Sequence, residues 1–133
     1  MRLAILADTG PLYAAADPSD QYHRRAHEEL RRLGKQGHSV VIAYPTLLEA
    51  YTLVLRRLGP EFAHAWLEEV LTGSGLINPT ARDYSEAARR TRDYPDQPLT
   101  LFDTVLAVLS ERLALPIWTY DRHFEMMRMK LWR

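Results

Sequence analysis

The sequence predicts a single-domain α/β protein, a three-layer α/β/α sandwich with a central parallel sheet. Short apolar or β-branched runs alternate along the chain with longer segments of helical periodicity. Strands separated by helices imply parallel pairing with right-handed crossovers, which places helices on both faces of the sheet. The 133 residues suit one domain, 1–133, and their 47% hydrophobic content is enough for a buried core.

Each predicted element has its own local signal. Apolar, β-branched runs predict strands at 3–7, 39–43, 76–77 and 116–119, with a last edge strand at 130–132. Proline, glycine and capping signals predict helices from 11 onward, at 21–36, 45–58, 61–72, 80–94 and 100–113, and from 121 onward. Ser19 or Asp20 is expected to cap the helix at 21–36.

Composition excludes several classes of protein. Seventeen basic and seventeen acidic residues cancel, so any nucleic-acid or membrane surface has to be local. The absence of cysteine excludes disulfides and thiolate chemistry, which suits a cytoplasmic protein. No apolar stretch reaches the roughly 20 residues of a membrane span, and Asp8 interrupts the first apolar run too early for a signal peptide.

Four carboxylates lie where parallel strands end or where the following helices begin. Asp8 follows the first predicted strand and Asp121 follows the fourth. Asp103 lies in the first turn of an apolar helix, and Glu49 lies early in the helix after the second strand. Ligands of open parallel sheets bind at the carboxyl ends of the strands, so the four side chains are expected to share one rim.

Some of these carboxylates also have a structural explanation. Asp8 and Asp121 could cap the helices that follow them. Asp103 lies three residues after Thr100 and fits a variant of the capping box. The functional interpretation therefore rests on the whole set and not on any single residue.

The two helical carboxylates differ in how well a structural role accounts for them. Glu49 belongs to a narrow polar stripe with Thr52 and Arg56, which a solvated helix face would explain. Asp103 is the only charge between Asp96 and Glu111, on a helix that otherwise reads as buried. A lone buried charge is costly unless it has a partner.

A divalent cation would relieve the repulsion among four acidic groups at one rim. Mg²⁺ and Mn²⁺ prefer oxygen ligands, and the sequence has neither cysteine nor a paired-histidine zinc pattern. Such clusters activate a water and neutralise phosphodiester charge during in-line attack. The predicted metal ligands are Asp8, Asp103 and Asp121.

Four motifs, in this order, resemble the PIN domain: LADTGPL, LLEAYTLV, LTLFDTVLAVLS and WTYDRHF. Within that family the chain is most similar to VapC-type toxins of prokaryotic toxin–antitoxin pairs. The resemblance implies an Mg²⁺- or Mn²⁺-dependent endoribonuclease. The implied catalytic quartet is Asp8, Glu49, Asp103 and Asp121. Thr9 and Thr119 match the supporting hydroxyl residues beside the first and last aspartates.

The resemblance also implies partners: an RNA substrate, a cognate antitoxin and a second copy in a homodimer. Five arginines are candidates for contacting RNA, although basic runs are more often solvated faces. They are Arg82, Arg89, Arg90, Arg92 and Arg122. The sequence departs from the family's glycine-aromatic ending at Met126–Met129, which puts the last strand in doubt. His123 lies near Asp121 and could contact a phosphate, although the pattern favours a surface residue of the last helix.

Three other functions are compatible with the sequence. The chain could be a PIN nuclease of RNA processing with no antitoxin, or an inactive binding protein that keeps the fold. It could also be a phosphotransfer domain with Asp8 as acceptor. The sequence disfavours a phosphotransfer domain, because Gly10 stands where a dehalogenase-like site would have a second aspartate.

Overall fold

The computed structural model describes residues 3–133 and has four strands and seven helices in that part of the chain. The strands are β1 (Ala4–Ala7), β2 (Ser39–Ala43), β3 (Gly75–Ile77) and β4 (Ile117–Trp118). The helices are α1 (Thr9–Ala16), α2 (His23–Lys35), α3 (Tyr44–Leu58), α4 (Pro60–Gly73), α5 (Ala81–Thr91), α6 (Leu101–Leu113) and α7 (His123–Met126). None of these helices is long and apolar enough to cross a membrane.

The strands form one parallel sheet in the order β3-β2-β1-β4. β1 lies between β2 and β4, with Ile5 opposite Val40 on one side and Leu6 opposite Ile117 on the other. The predicted parallel sheet is therefore confirmed. Because β1 is flanked on both sides, the carboxyl ends of β2, β1 and β4 lie next to one another.

Alternate residues of β1 enter two different cores, which makes the protein a three-layer sandwich. Ile5 packs with Val54 of α3 and Trp66 of α4 on one face of the sheet. Leu6 packs with Leu109 of α6, together with α5 and α7 residues, on the other face. Burial of each large apolar side chain stabilises the fold by about 1.5–3 kcal/mol, so both cores fix the strand ends. The predicted α/β/α architecture is confirmed.

Two ion pairs tie α5 to the carboxyl-terminal end of α6. The Arg112 guanidinium donates to Asp83 at 2.7 and 2.8 Å, and Arg90 donates to Glu111 at 2.7 and 3.1 Å. The Arg112 contact lowers the pKa of Asp83, which is 3% exposed. These contacts hold α6 at the end opposite to Asp103.

The predicted edge strand at 130–132 is reduced to one bridged position beside β4, with backbone hydrogen bonds from Ile117 to Lys130 and from Trp132 to Ile117. Leu131 makes a single parallel bridge to Ile117 instead of a continuous ladder. Arg128 has a φ of 59°, so the chain turns sharply just before the bridge. Only a short length of chain is then aligned with β4. The turn lies within Met126–Met129, where the sequence departs from the family's usual ending.

The start of α2 also differs from the prediction. The helix begins at His23, and its N-cap residue Tyr22 makes no side-chain capping bond. Asp20 does act locally, because its Oδ1 accepts the Tyr22 N–H at 2.8 Å in the turn before the helix. Its side chain therefore stabilises the turn and does not cap the helix.

Candidate active site

Asp8 lies at the junction of β1 and α1, at the centre of the carboxyl edge of the sheet. Its backbone N–H donates to the Trp118 carbonyl at 2.9 Å, which continues the β1–β4 pairing. It is the N-cap residue of α1, yet its side chain makes no capping hydrogen bond to that helix. Its Oδ2 instead accepts from the Thr119 hydroxyl at 2.7 Å. Side-chain capping therefore does not explain Asp8.

Asp121 is brought to the same edge by the turn that follows β4. Its backbone N–H donates to the Thr119 hydroxyl at 2.9 Å. Its Oδ1 accepts the His123 N–H at 2.9 Å and so shapes the entry to α7. Asp121 therefore has the local role at the start of α7 that the sequence suggested. That role uses Oδ1 and does not involve Oδ2.

Asp103 occupies the third position of α6 and forms a complete capping box with Thr100. Its Oδ2 accepts the Thr100 N–H, and the Thr100 hydroxyl accepts the Asp103 N–H, each at 3.2 Å. The residue is 9% exposed and lines the same cavity as Asp8 and Asp121. Capping thus fixes the orientation of Asp103 toward the cavity.

Glu49 projects from the second turn of α3 and is partly buried. Its Oε1 accepts a short hydrogen bond from the hydroxyl of Thr9, at the start of α1. Thr52 donates instead to the Leu48 carbonyl at 2.8 Å, and Arg56 is exposed. In the described residues Glu49 is therefore bonded across the rim and not along the polar stripe.

All four carboxylates line one cavity of about 490 Å³ at the carboxyl edge of the sheet. Burial raises the pKa of Asp8 from 3.8 to about 6, against the lowering effect of the Thr119 hydrogen bond. The charges of Asp103 and Asp121 raise the pKa of Asp8 further. Burial also raises the pKa of Asp103. The carboxylates therefore repel one another, and their oxygen donors suit a hard divalent cation.

His123 is a cavity residue that sequence reasoning placed on the surface. Its side chain is 27% exposed, and its Nδ1 lies 3.4 Å from Asp121 Oδ1 and 3.5 Å from Asp103 Oδ2. One ligand atom from each of these three residues lies within 4.8 Å of the other two. The only sequence signal for a role of His123 in the site was its position two residues after Asp121, at the end of the fourth strand.

The five arginines proposed for RNA do not line this cavity. Arg89 donates to Glu86, and Arg90 pairs with Glu111, which lies eight residues beyond Asp103 and about 12 Å along α6. Arg82, Arg92 and Arg122 are exposed. Their role in RNA binding stays a prediction.

Residues not predicted from the sequence supply the remaining polar and aromatic lining. Arg57 of α3 reaches the cavity and lies over the ring of Tyr13, 4.9 Å from its centroid. Tyr22 and Tyr120 also line it, with ring centroids 5.0 Å apart. Arg25 lies 4.4 Å from the Tyr120 centroid. The acidic centre thus has arginine and aromatic groups beside it.

The fold and the site together define a class: single-domain α/β/α proteins with a carboxylate cluster at the ends of parallel strands. A PIN domain family model matches residues 5–128. The chain belongs to the PIN domain family, and the resemblance predicted from its four motifs is confirmed.

Relatives and solved structures of the same fold include several VapC proteins. The chain is 29% identical over 127 residues to ribonuclease VapC26 of Mycobacterium tuberculosis, covering 93% of this chain and 92% of the relative. Mycobacterium tuberculosis VapC20, a Sarcin-Ricin loop cleaving toxin, superposes with a TM-score of 0.84 at 21% identity, over 97% of this chain and 98% of that one. Rickettsia felis VapBC2, bound to a DNA fragment from its promoter, superposes with a TM-score of 0.76 at 14% identity. The match covers 97% of this chain and 96% of that one.

Proposed function

We propose that this chain is an Mg²⁺- or Mn²⁺-dependent endoribonuclease and the toxin component of a type II toxin–antitoxin pair. The observation that carries the proposal is the convergence of Asp8, Glu49, Asp103 and Asp121 on one cavity. Burial raises the pKa of Asp8 and the charges of Asp103 and Asp121 raise it further, so added positive charge would stabilise the cluster. A bound cation would supply that charge, neutralise a phosphodiester and lower the pKa of a water.

The proposed ligands for this cation are Asp8, Asp103 and Asp121. Thr119 would hold the Asp8 carboxylate in place through its 2.7 Å hydrogen bond. The capping box would do the same for Asp103. Each ligand would then be oriented before the cation binds, which limits the reorganisation required at the site.

Glu49 would orient the attacking water and accept its proton. Thr9 donates to one oxygen of Glu49, which leaves the second oxygen for the water. Arg57 would place a positive charge beside the RNA phosphate, because it reaches the same cavity. In-line attack then needs the water and the leaving oxygen of the phosphodiester on opposite sides of the reacting phosphorus.

The relatives support RNA as the substrate class. VapC26 is named a ribonuclease, and VapC20 is described as a toxin that cleaves the Sarcin-Ricin loop. We extend RNA cleavage, toxin activity and a cytoplasmic location to this chain on that basis. The net charge of zero means that RNA binding would depend on local groups such as Arg57.

The proposed antitoxin would bind an apolar groove that shares no lining residue with the site. The groove has a volume of about 520 Å³ and lies among α1, α2 and α4, with Leu12, Phe62 and Val70 in its lining. Rickettsia felis VapBC2 is a complex solved with promoter DNA, which supports a partner protein for chains of this fold. An apolar antitoxin segment would bury these side chains.

A homodimer is proposed from exposed apolar side chains on a different part of the surface. Leu48 of α3 is 64% exposed and Tyr44 is 40% exposed. Leu101 and Phe102, at the start of α6, are exposed by 56% and 42%. Solution mass measured by light scattering, with Leu48→Glu as the variant, tests this contact.

The decisive experiment is cleavage of a defined RNA by the purified chain with Mn²⁺ and with EDTA. Cleavage with Mn²⁺, its loss in EDTA, and its loss in Asp8→Asn would support the proposal. Asp96→Asn, in an exposed loop, is the matched control and should cleave normally. Folded protein that binds RNA but never cuts it would support the inactive binding protein instead. The product of any small neighbouring gene should be co-expressed with this chain. Cleavage that this product cannot inhibit would favour RNA processing without an antitoxin.

A further inference from the structure

We propose that His123 is a nitrogen ligand of the same divalent cation, through Nδ1, beside Asp103 and Asp121. This inference rests on the metal site of the proposed function and extends it to a residue outside the acidic quartet. It also assigns a preference: the site should take Mn²⁺ and Co²⁺ ahead of Mg²⁺.

The distances around His123 fit ligation better than hydrogen bonding. Nδ1 lies 3.4 Å from Asp121 Oδ1 and 3.5 Å from Asp103 Oδ2. Protein N–H···O hydrogen bonds rarely exceed about 3.2 Å. Neighbouring ligands of an octahedral ion with bonds of about 2.1 Å stand about 3 Å apart. Nδ1 is thus only a few tenths of an ångström farther from each carboxylate oxygen than two neighbouring ligands of one ion would be, and one ligand atom of each residue lies within 4.8 Å of the other two.

The Nδ1 atom of His123 is buried and has no hydrogen-bond partner among the described residues. A buried polar atom without a hydrogen-bond partner is destabilising unless another group satisfies it. Neither the contact of Nδ1 with Asp121 nor its contact with Asp103 qualifies as a hydrogen bond. Nδ1 lies beside both carboxylates, and an imidazole nitrogen with a free lone pair is the donor that a metal ion takes.

Hydrogen bonds hold all three ligand-bearing residues in position. The His123 N–H donates to Asp121 Oδ1 at 2.9 Å, which fixes His123 relative to Asp121. The Asp121 N–H donates to Thr119. Asp103 is held by its capping box with Thr100. The arrangement therefore has the supported ligand geometry typical of metal centres.

A nitrogen ligand has a consequence for the choice of metal. Imidazole binds first-row transition metals more strongly in the order Mn²⁺, Fe²⁺, Co²⁺, Ni²⁺, whereas Mg²⁺ favours oxygen. Removal of His123 should therefore weaken Co²⁺ and Mn²⁺ far more than Mg²⁺. If His123 is not a ligand, its removal should change the affinities for all three metals to the same extent.

The test is electron spin-echo envelope modulation on the Mn²⁺-loaded, untagged protein, with metal affinities measured by calorimetry. The wild type should show modulation from a directly bound imidazole nitrogen. His123→Ala should lose this signal and bind Co²⁺ about 10–100-fold more weakly, with a much smaller loss for Mg²⁺. His123→Asn, which places an amide oxygen near the Nδ1 position, should restore part of the affinity without the nitrogen signal.

His64→Ala is the matched control, because His64 is exposed on α4 outside the cavity, and it should keep the signal. Wild-type protein with bound Mn²⁺ and no nitrogen signal would overturn the inference, as would equal losses for all metals. RNA cleavage without a nitrogen signal would leave the proposed nuclease standing and remove only this ligand. A nitrogen signal without cleavage would establish the ligand and count against the nuclease.

Discussion

Thr119 and Asp8 are 111 residues apart in sequence, and the Thr119 hydroxyl donates to Asp8 Oδ2 at 2.7 Å. The Thr119 hydroxyl oxygen also accepts the Asp121 N–H at 2.9 Å. One hydroxyl at the end of β4 therefore orients two of the proposed metal ligands. It also offsets part of the rise in the pKa of Asp8 that burial causes.

Thr119→Val should weaken the site without changing its shape. The valine fills the same volume but leaves Asp8 Oδ2 and the Asp121 N–H without this partner. We expect Mn²⁺ affinity to fall about 10–100-fold, as for other residues that support metal ligands. Calorimetry measures the affinity, and Thr119→Ser, which retains the hydroxyl, should bind Mn²⁺ nearly as the wild type does. Equal affinity in the valine variant would mean that Thr119 does not support the ligands.

The metal-free protein should lose stability as the pH rises through the range in which Asp8 ionises. The pKa of Asp8 is raised from 3.8 to about 6 in the folded chain, so folding favours the protonated carboxyl. The resulting penalty is absent below pH 4, grows between pH 4 and 6, and is complete above pH 6. It amounts to about 3 kcal/mol. Urea unfolding in EDTA at several pH values measures it.

Asp8→Asn separates this effect from other titrations. Asparagine cannot ionise, so the variant should lack most of the decline between pH 4 and 6. Above pH 6, in EDTA, it should be at least as stable as the wild type. An unchanged decline would assign the titration to another group, and an unfolded variant would return Asp8 to a structural role.

Glu49→Gln should impair RNA cleavage while leaving the fold intact. The glutamine carbonyl can still accept from Thr9, but it cannot take a proton from water. We expect cleavage of a defined RNA to fall by two or more orders of magnitude, in line with the loss of a general base. Arg56→Gln, on the exposed stripe, should cleave normally. If Glu49→Gln cleaves RNA as well as Arg56→Gln does, Glu49 is only part of the solvated polar face of α3.

Divalent metal should raise the melting midpoint of the wild-type protein. A ligand that binds only the folded state stabilises it by about 2.7 kcal/mol at a hundredfold excess over Kd. For a domain of this size the shift should be several degrees, at lower concentrations of Mn²⁺ than of Mg²⁺. Asp103→Asn should abolish the shift, which differential scanning fluorimetry measures.

Asp83→Asn is the matched control for that experiment. Asp83 and Asp103 both occupy the third position of a helix and both form a capping box with a threonine. Asp83 is paired with Arg112 and lies outside the cavity. Its loss should lower the starting melting midpoint by several degrees but preserve the metal-induced shift. A full metal shift in Asp103→Asn would show that Asp103 only caps α6.

Sequence patterns sufficed for the sheet, the layers and the convergence of the carboxylates. Periodicity marked the strands, and parallel pairing brought Asp8 and Asp121 to one edge. The route of the last residues was not predictable, because it depends on the left-handed backbone at Arg128. His123 and Arg57 were missed since helical spacing alone does not show which of several polar residues turns toward the cavity.

The strand order also means that the site is divided between two separable lengths of chain. Asp8 and Glu49 precede the exposed loop 92–98, whereas Asp103, Asp121 and His123 follow it. β1 and β2 belong to the first length, and β4 to the second. A cut in this loop would yield two fragments, each holding an incomplete set of ligands. Any activity would then depend on reassembly of the fragments, which makes this loop a natural point for a split-protein reporter.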